Sequence, residues 1–133
     1  PTIIDRYSGY QNLKMLASVK KIISDEEINK VLCLVGLDEE AAKKKYRKYS
    51  LGMKQRLGIA AALMEKPDIV ILDEPTNALD TSGVELVKEI VRGEKKRGAL
   101  VIISCHDLAV LEELSDEIIK LESGKVIEHI GRA

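Results

Sequence analysis

Residues 69–80 read "IVILDEPTNALD". Four aliphatic residues, Ile69 to Leu72, run straight into two carboxylates, Asp73 and Glu74, and Pro75 stops any regular element there. A short continuous apolar run is the pattern of a strand buried on both faces, as in a parallel sheet. A second such run, "ALVIIS" at 99–104, follows the stretch "SGVELVKEIVRGEKKRG", in which Leu86, Val87, Ile90 and Val91 share one helical face. Strand, helix, strand predicts a right-handed crossover and a parallel pair, hence an α/β fold. Ligands of such sheets sit beyond the carboxyl ends of the strands, where Asp73 and Glu74 lie. There Asp73 fits a Mg²⁺ ligand, directly or through water, and Glu74 a group that polarises an attacking water. An arbitrary Asp-Glu pair is more often a helix cap and a surface acid, so the flanking sequence must decide.

Downstream, "DLAVLEELS" reads as a short helix capped by Asp107, and "DEIIKLESGKVIEHI" as a hairpin turning at Ser123-Gly124. Upstream the chain reads helical. "SGYQNLKMLASVKK" carries Leu13, Met15 and Leu16 at helical spacing, with Ser8 or Asn12 as the start. "SDEEINKVLCLVGL" opens with a capping box between Ser24 and Glu27. It carries the stripe Ile28, Val31, Leu32 and Val35, and stops at Gly36. "DEEAAKKKYRKYS" is a charged connector or short helix, and a helix from about Leu51 to Glu65 ends before Pro67. The chain therefore divides into a helical part, 1–66, and an α/β part, 67–133.

Composition narrows the function. The 133 residues are 45% hydrophobic and 32% charged, a globular balance with an aliphatic core, since Trp and Phe are absent and Tyr numbers four. A net charge of −1 argues against general nucleic-acid binding. The basic run Lys43, Lys44, Lys45, Arg47 and Lys48 has no aromatic stacking platform and reads as a solvated face. Cys33 and Cys105 read as reduced, buried thiols of a cytosolic protein. No secretory signal is visible, and the longest apolar run, Ile59 to Met64, is far short of the ~20 residues of a membrane span.

Three stretches together resemble the ATP-binding subunits of ABC transporters. "IVILDEPTNALD" is similar to their Walker B motif, catalytic glutamate and D-loop. "YSLGMKQRLGIAAAL" is similar to their signature motif and the helix behind it. "IISCHDLAVLEELSDEIIKLESGKVI" carries a residue like their switch histidine, His106. Order and spacing fit too: 23 positions from Ser50 to Asp73, then 33 to His106. The resemblance covers essentially the whole chain. It implies part of an ABC-type P-loop NTPase core with a helical signature subdomain, and the substrate and cofactor pair ATP and Mg²⁺.

The resemblance also assigns roles. Asp73 is implied to hold Mg²⁺, Glu74 to activate water, and His106 to read the γ-phosphate. Ser50, Gly52 and Met53 belong to the signature that faces the nucleotide of a second ATPase subunit, and Asp80 closes the D-loop at the dimer interface. Physically, Ser50 precedes a helix whose outward N–H groups favour an anion, and Gly52 offers no side chain to block it. The common family wording is Leu-Ser-Gly-Gly-Gln; here Tyr49, Leu51 and Met53 replace the leucine, first glycine and glutamine. This removes a polar side chain at Met53 and resembles a drug- and peptide-exporting branch. His129, in the hairpin, is an ordinary surface residue.

One family part is missing. A phosphate loop, G-x-x-x-x-G-K-[ST], needs two spaced glycines and a hydroxyl. The Gly124-Lys125 pair is followed by Val126 and has Ile119 at the first glycine's place, so it is not one. In the family that loop lies upstream, so these residues are expected to be the C-terminal part of a longer subunit. Alone they are expected to be inactive, with "IVILD" and "ALVII" exposing apolar faces and unpaired edges, and to form dimers or swapped elements. The expected setting is the cytoplasmic face of a membrane, beside a membrane-spanning permease, with no nucleic acid. The competing readings are a non-transport ABC-type ATPase acting on nucleic acid or ribosomes, and a non-catalytic interaction module.

Overall fold

The computed structural model describes residues 3–20 and 23–131. Helix α1 (Gly9–Lys20) starts at Ser8, the first of its two candidate starts. The Ser8 hydroxyl accepts from the Gln11 N–H and the Gln11 side chain accepts from the Ser8 N–H, a reciprocal capping box. Asn12, the other candidate, is a fully buried polar clamp. It accepts from the Ile4 N–H at 2.8 Å and donates to the Ile4 and Ser8 carbonyls, fixing the segment that enters the helix.

Helix α2 (Asp25–Leu34) is capped by the Ser24 hydroxyl, which accepts from the Glu27 N–H. All four residues of its predicted stripe are buried. Gly36 ends it at φ +80. There the Leu37 N–H reaches the Leu32 carbonyl and the Gly36 N–H the Cys33 carbonyl, a Schellman pair. Cys33 itself is exposed and Cys105 half-buried, which corrects the expectation of two buried thiols. The cause is helical phase: Cys33 lies ~100° around α2 from the buried Leu32, off the stripe. The charged connector folds as α3 (Glu39–Lys43) and a single 3-10 turn, Tyr46–Lys48. The cationic side chains of the run at 43–48 are exposed. Helix α4 (Leu51–Leu63) follows, and Leu57, Ile59, Ala60 and Leu63 turn inward from it.

Strand β1 (Ile69–Asp73) pairs in parallel with β2 (Leu100–Ser104), joined by α5 (Thr81–Lys96). Val87, Ile90 and Val91 of α5 are buried and Leu86 packs beside them. Each fully buried aliphatic side chain contributes about 1.5–3 kcal/mol. Helix α6 (Leu108–Leu114) leads into a separate antiparallel hairpin, β3 (Glu117–Glu122) and β4 (Lys125–Gly131). Its turn residues Ser123 and Gly124 both have positive φ, the conformation a two-residue hairpin loop demands.

One apolar core runs from Leu13 and Ile28 through Leu57 and Val70 to Val91, crossing from the helices into the sheet. Buried side-chain polar atoms among the described residues all have partners. The predicted burial of both faces of β1 does not hold, whereas the exposed apolar face expected in the absence of the phosphate-loop part is present. Val70 and Leu72 face the core, while Ile69, Ile71, Leu100 and Ile102 form an exposed apolar face. The helices cover only one side of a two-stranded sheet, so alternate residues are left out. Among the described residues no helix is long and apolar enough to cross a membrane.

Candidate functional site

A parallel pair delivers both carboxyl ends to the same edge, and that is what assembles the site. Asp73 ends β1 opposite Ser104, which ends β2. The Ser104 hydroxyl donates to Asp73 Oδ1. Glu74 follows at once in the left-handed region, at φ +47. A side-chain-bearing residue held there costs about 1–3 kcal/mol, so surrounding contacts must over-determine it. They do. The Glu74 N–H donates to the Ser104 carbonyl at 2.9 Å and approaches its hydroxyl at 3.2 Å. The Glu74 carbonyl accepts from the Gln55 side chain at 2.8 Å. Pro75, next in sequence, is fully buried and anchors the far side.

The Glu74 side chain meets His106. The imidazole Nε2 lies 3.0 Å from Glu74 Oε1. His106 is 97% exposed in its side chain while that of Glu74 is 23% exposed, so the ring leans over a carboxylate that is mostly shielded. When Nε2 carries a proton it donates to that carboxylate and fixes its rotamer. The residues flanking His106 are employed otherwise: the Cys105 thiol accepts from the Asp107 N–H, and the Asp107 carboxylate caps α6 through Ala109 and Val110.

Ser50, Gly52 and Met53 lie at the N-terminal end of α4. The Ser50 hydroxyl accepts from the Met53 N–H at 3.1 Å and caps the helix. Leu51, next to it, is 72% exposed, so this helix end is presented outward. Gly52 packs against the loop after Glu74: a Cβ there would stand 3.1 Å from the Ala78 carbonyl oxygen, a tight approach. Met53 is half-buried with its side chain against the core. Asp80 caps α5, accepting from the Gly83 N–H at 2.9 Å and the Ser82 hydroxyl at 3.0 Å. The Gly83 and Ser82 hydrogen bonds, with a smaller contribution from Arg56, hold its carboxyl below the ordinary aspartate value.

The structure thus joins Asp73, Glu74 and His106 into one cluster with Ser104. It gives Ser50 and Asp80 capping duties and packs Gly52 of α4 against the loop that leads to Asp80. Two participants escaped the sequence reading. Ser104 was the last letter of a strand, and only the register with Asp73 reveals it. Gln55 lies in the signature helix 19 positions before its partner, and local pattern carries no signal of that bond. Among the described residues, no three His, Cys, Asp or Glu side chains converge as a self-sufficient metal cage. A single carboxylate at Asp73 still fits Mg²⁺, which commonly takes one or two carboxylates and completes its shell with water and phosphate oxygens.

Comparison with known proteins gives one consistent answer. The ABC transporter family profile matches residues 2–77. The uncharacterized ABC transporter ATP-binding protein YybJ of Bacillus subtilis (strain 168) is 46% identical over 124 residues, 93% of this chain and 56% of that protein. The bacitracin transport ATP-binding protein BcrA of Enterococcus faecalis is 38% identical over 131 residues, 98% of this chain and 42% of that protein. The dimeric ATP-binding cassette MJ0796 in a post-hydrolysis state, bound to ADP and Pi, matches with a TM-score of 0.87. The identity is 26%, covering 98% of this chain and 59% of that one. The chain spans about half the length of the curated relatives it matches.

Proposed function

Because this chain belongs to the ABC transporter family and has part of its α/β ATPase cassette fold, we propose that it supplies the signature and the hydrolytic edge of an ATP-hydrolysing transporter subunit. The observation that carries this reading is Glu74, held in a left-handed conformation at a strand end with His106 on its carboxylate. Glu74 accepts a proton from the attacking water. His106 orients the Glu74 carboxylate and lends a donor to charge that develops beside it. Asp73, oriented by the Ser104 hydroxyl, holds Mg²⁺ directly or through water. When bound, Mg²⁺ neutralises charge on the transferring phosphoryl group.

The exposed end of α4 supports a second role: Ser50 and Gly52 serve the nucleotide of a second ATPase subunit, with Asp80 and its loop along the shared interface. Residues 1–66 act as the helical signature subdomain and 67–133 as the α/β part. The sequence lacks the glycine-rich loop that cradles a triphosphate, so these residues do not hold ATP by themselves. The 133 residues alone are inactive in this reading, and the phosphate cradle belongs to a further segment of the whole subunit. That segment also covers the open face of Ile69, Ile71, Leu100 and Ile102. The whole subunit works on the cytoplasmic face of a membrane beside a permease, in a branch akin to bacitracin transport.

Glu74→Gln in the full-length subunit tests the reading. It keeps shape and ATP binding but removes the base, so turnover falls by about 10²–10⁴-fold. Unchanged turnover rejects Glu74 as the base. Calorimetry on the 133 residues tests the second claim, and micromolar ATP affinity would overturn it.

A further inference from the structure

We propose that Gln55 is a positioning residue for Glu74, tying the signature helix to the peptide that aims the catalytic carboxylate; this rests on the reading of Glu74 as the base. Three observations meet at this bond. Glu74 is bonded on both sides of its backbone, by Ser104 at its N–H and by the Asn77 N–H and the Gln55 amide at its carbonyl. Its φ of +47 is a conformation that side-chain-bearing residues leave when contacts allow. Ser104 alone fixes only the peptide before Glu74. The peptide after it leads into Pro75, which has no N–H, and the turn closes through the Asn77 N–H, 3.1 Å from the Glu74 carbonyl. The Gln55 amide, half-buried and 2.8 Å from the same oxygen, ties that turn to α4.

The direction of control follows from where Gln55 sits. It lies about one turn and a half along α4 from Ser50, on the helix whose N-terminal end is presented outward. A shift of α4 along its axis therefore pulls on the Glu74 carbonyl and turns the carboxylate relative to His106. Gln55 acts on the Glu74 backbone and not on its carboxylate, so its effect is expected in turnover rather than in substrate binding.

The test compares steady-state ATP hydrolysis by the full-length subunit carrying Gln55→Met or Gln55→Glu with wild type and Glu74→Gln. Both Gln55 variants keep the length of the side chain and lose the amide donor. The expected result is a drop in kcat of about 10- to 100-fold, the scale of a small misplacement of a catalytic group. KM for ATP and the Tm stay at wild-type values. Adding Gln55→Met to Glu74→Gln then causes no further loss in single-turnover rate. Wild-type kcat in both variants, with Glu74→Gln inactive, overturns the proposal and leaves the base assignment intact. A parallel fall in kcat and Tm overturns it as a structural effect. An active Glu74→Gln overturns the base assignment itself, and the proposal with it.

Discussion

Leu57 on α4 and Ile71 on β1 are both aliphatic residues in regular elements, yet Leu57 is 0% exposed and Ile71 67% exposed. The contrast runs through the molecule. In the helical part, the apolar stripe of α2 faces a partner and the buried side chain of Asn12 is satisfied. In the sheet part, Ile69, Leu100 and Ile102 join Ile71 on an open face, and Ile119, Leu121, Val126 and Ile127 of the hairpin are exposed too. Exposed sheet edges and apolar faces are docking surfaces or aggregation hazards. The helical part is organised by contacts within these 133 residues; the sheet part has finished only one of its faces.

The sharpest way to break that contrast is to truncate the same kind of side chain on each side of it. Leu57→Ala should cost about 2–5 kcal/mol in chemical denaturation of the chain, a lost transfer term plus a cavity. Ile71→Ala should stay within about 0.5 kcal/mol, as substitutions at open surface positions do. A large loss at Ile71 in the chain alone would mean that a second copy covers the face. In the full-length subunit, Ile71→Ala should become costly if a further segment packs there.

Asn12→Ala comes next. It leaves the part-buried Ile4 N–H without its acceptor, and the expected loss is about 1–3 kcal/mol. Asn12 also shows where sequence reasoning stops. Ser8 and Asn12 were equal candidates for the start of α1, because both residue types favour caps. The choice was made by Gln11, which completes a box with Ser8, and by Ile4, whose backbone needs Asn12. Local chemistry was legible wherever a residue's partner lies within a turn: the cap at Ser24, the stop at Gly36, the hairpin turn at Ser123-Gly124. Asp73, Glu74 and His106 stood out in the sequence because they lie in specific motifs. Ser104 and Gln55 were not, because strand register and helix docking bring them in. The exposed face of β1 cannot be read from its aliphatic run, which looks the same whether one side or both are covered; it was expected only from the missing phosphate loop.

Gly36→Ala should weaken the helical part by about 1–2 kcal/mol, the cost of a Cβ in the left-handed conformation. Crowding adds to it, because a Cβ at Gly36 would overlap the Arg56 guanidinium, which donates to the Val35 carbonyl at 3.1 Å. Gly98→Ala is the matching change beside the sheet. Its φ is +99, but nothing lies within 4 Å of the added carbon, so only the backbone term remains. Equal losses at the two glycines would show that crowding at Arg56 contributes nothing; a larger loss at Gly36 is expected.

The smallest effect is a pH dependence at Asp80, where the helical and sheet parts meet through Arg56. Hydrogen bonds from the Gly83 N–H and the Ser82 hydroxyl lower the carboxyl below its ordinary value of 3.8. A group whose pKa is depressed on folding binds more protons when unfolded, so its contribution raises stability as pH rises. That contribution is complete above the ordinary value and is lost as pH falls through the lower, folded one. Asp80→Asn keeps a cap acceptor for α5 but has no charge to lose. The Tm of wild type should therefore exceed that of Asp80→Asn at neutral pH, and the gap should close as pH drops below about 3.8. A gap that stays constant with pH would assign the difference to cap geometry. Because Asp80 is exposed and screened, the shift is expected to be a few degrees at most. Arg56, whose charge adds a smaller share to the lowering, also donates to the Val35 carbonyl at the end of α2.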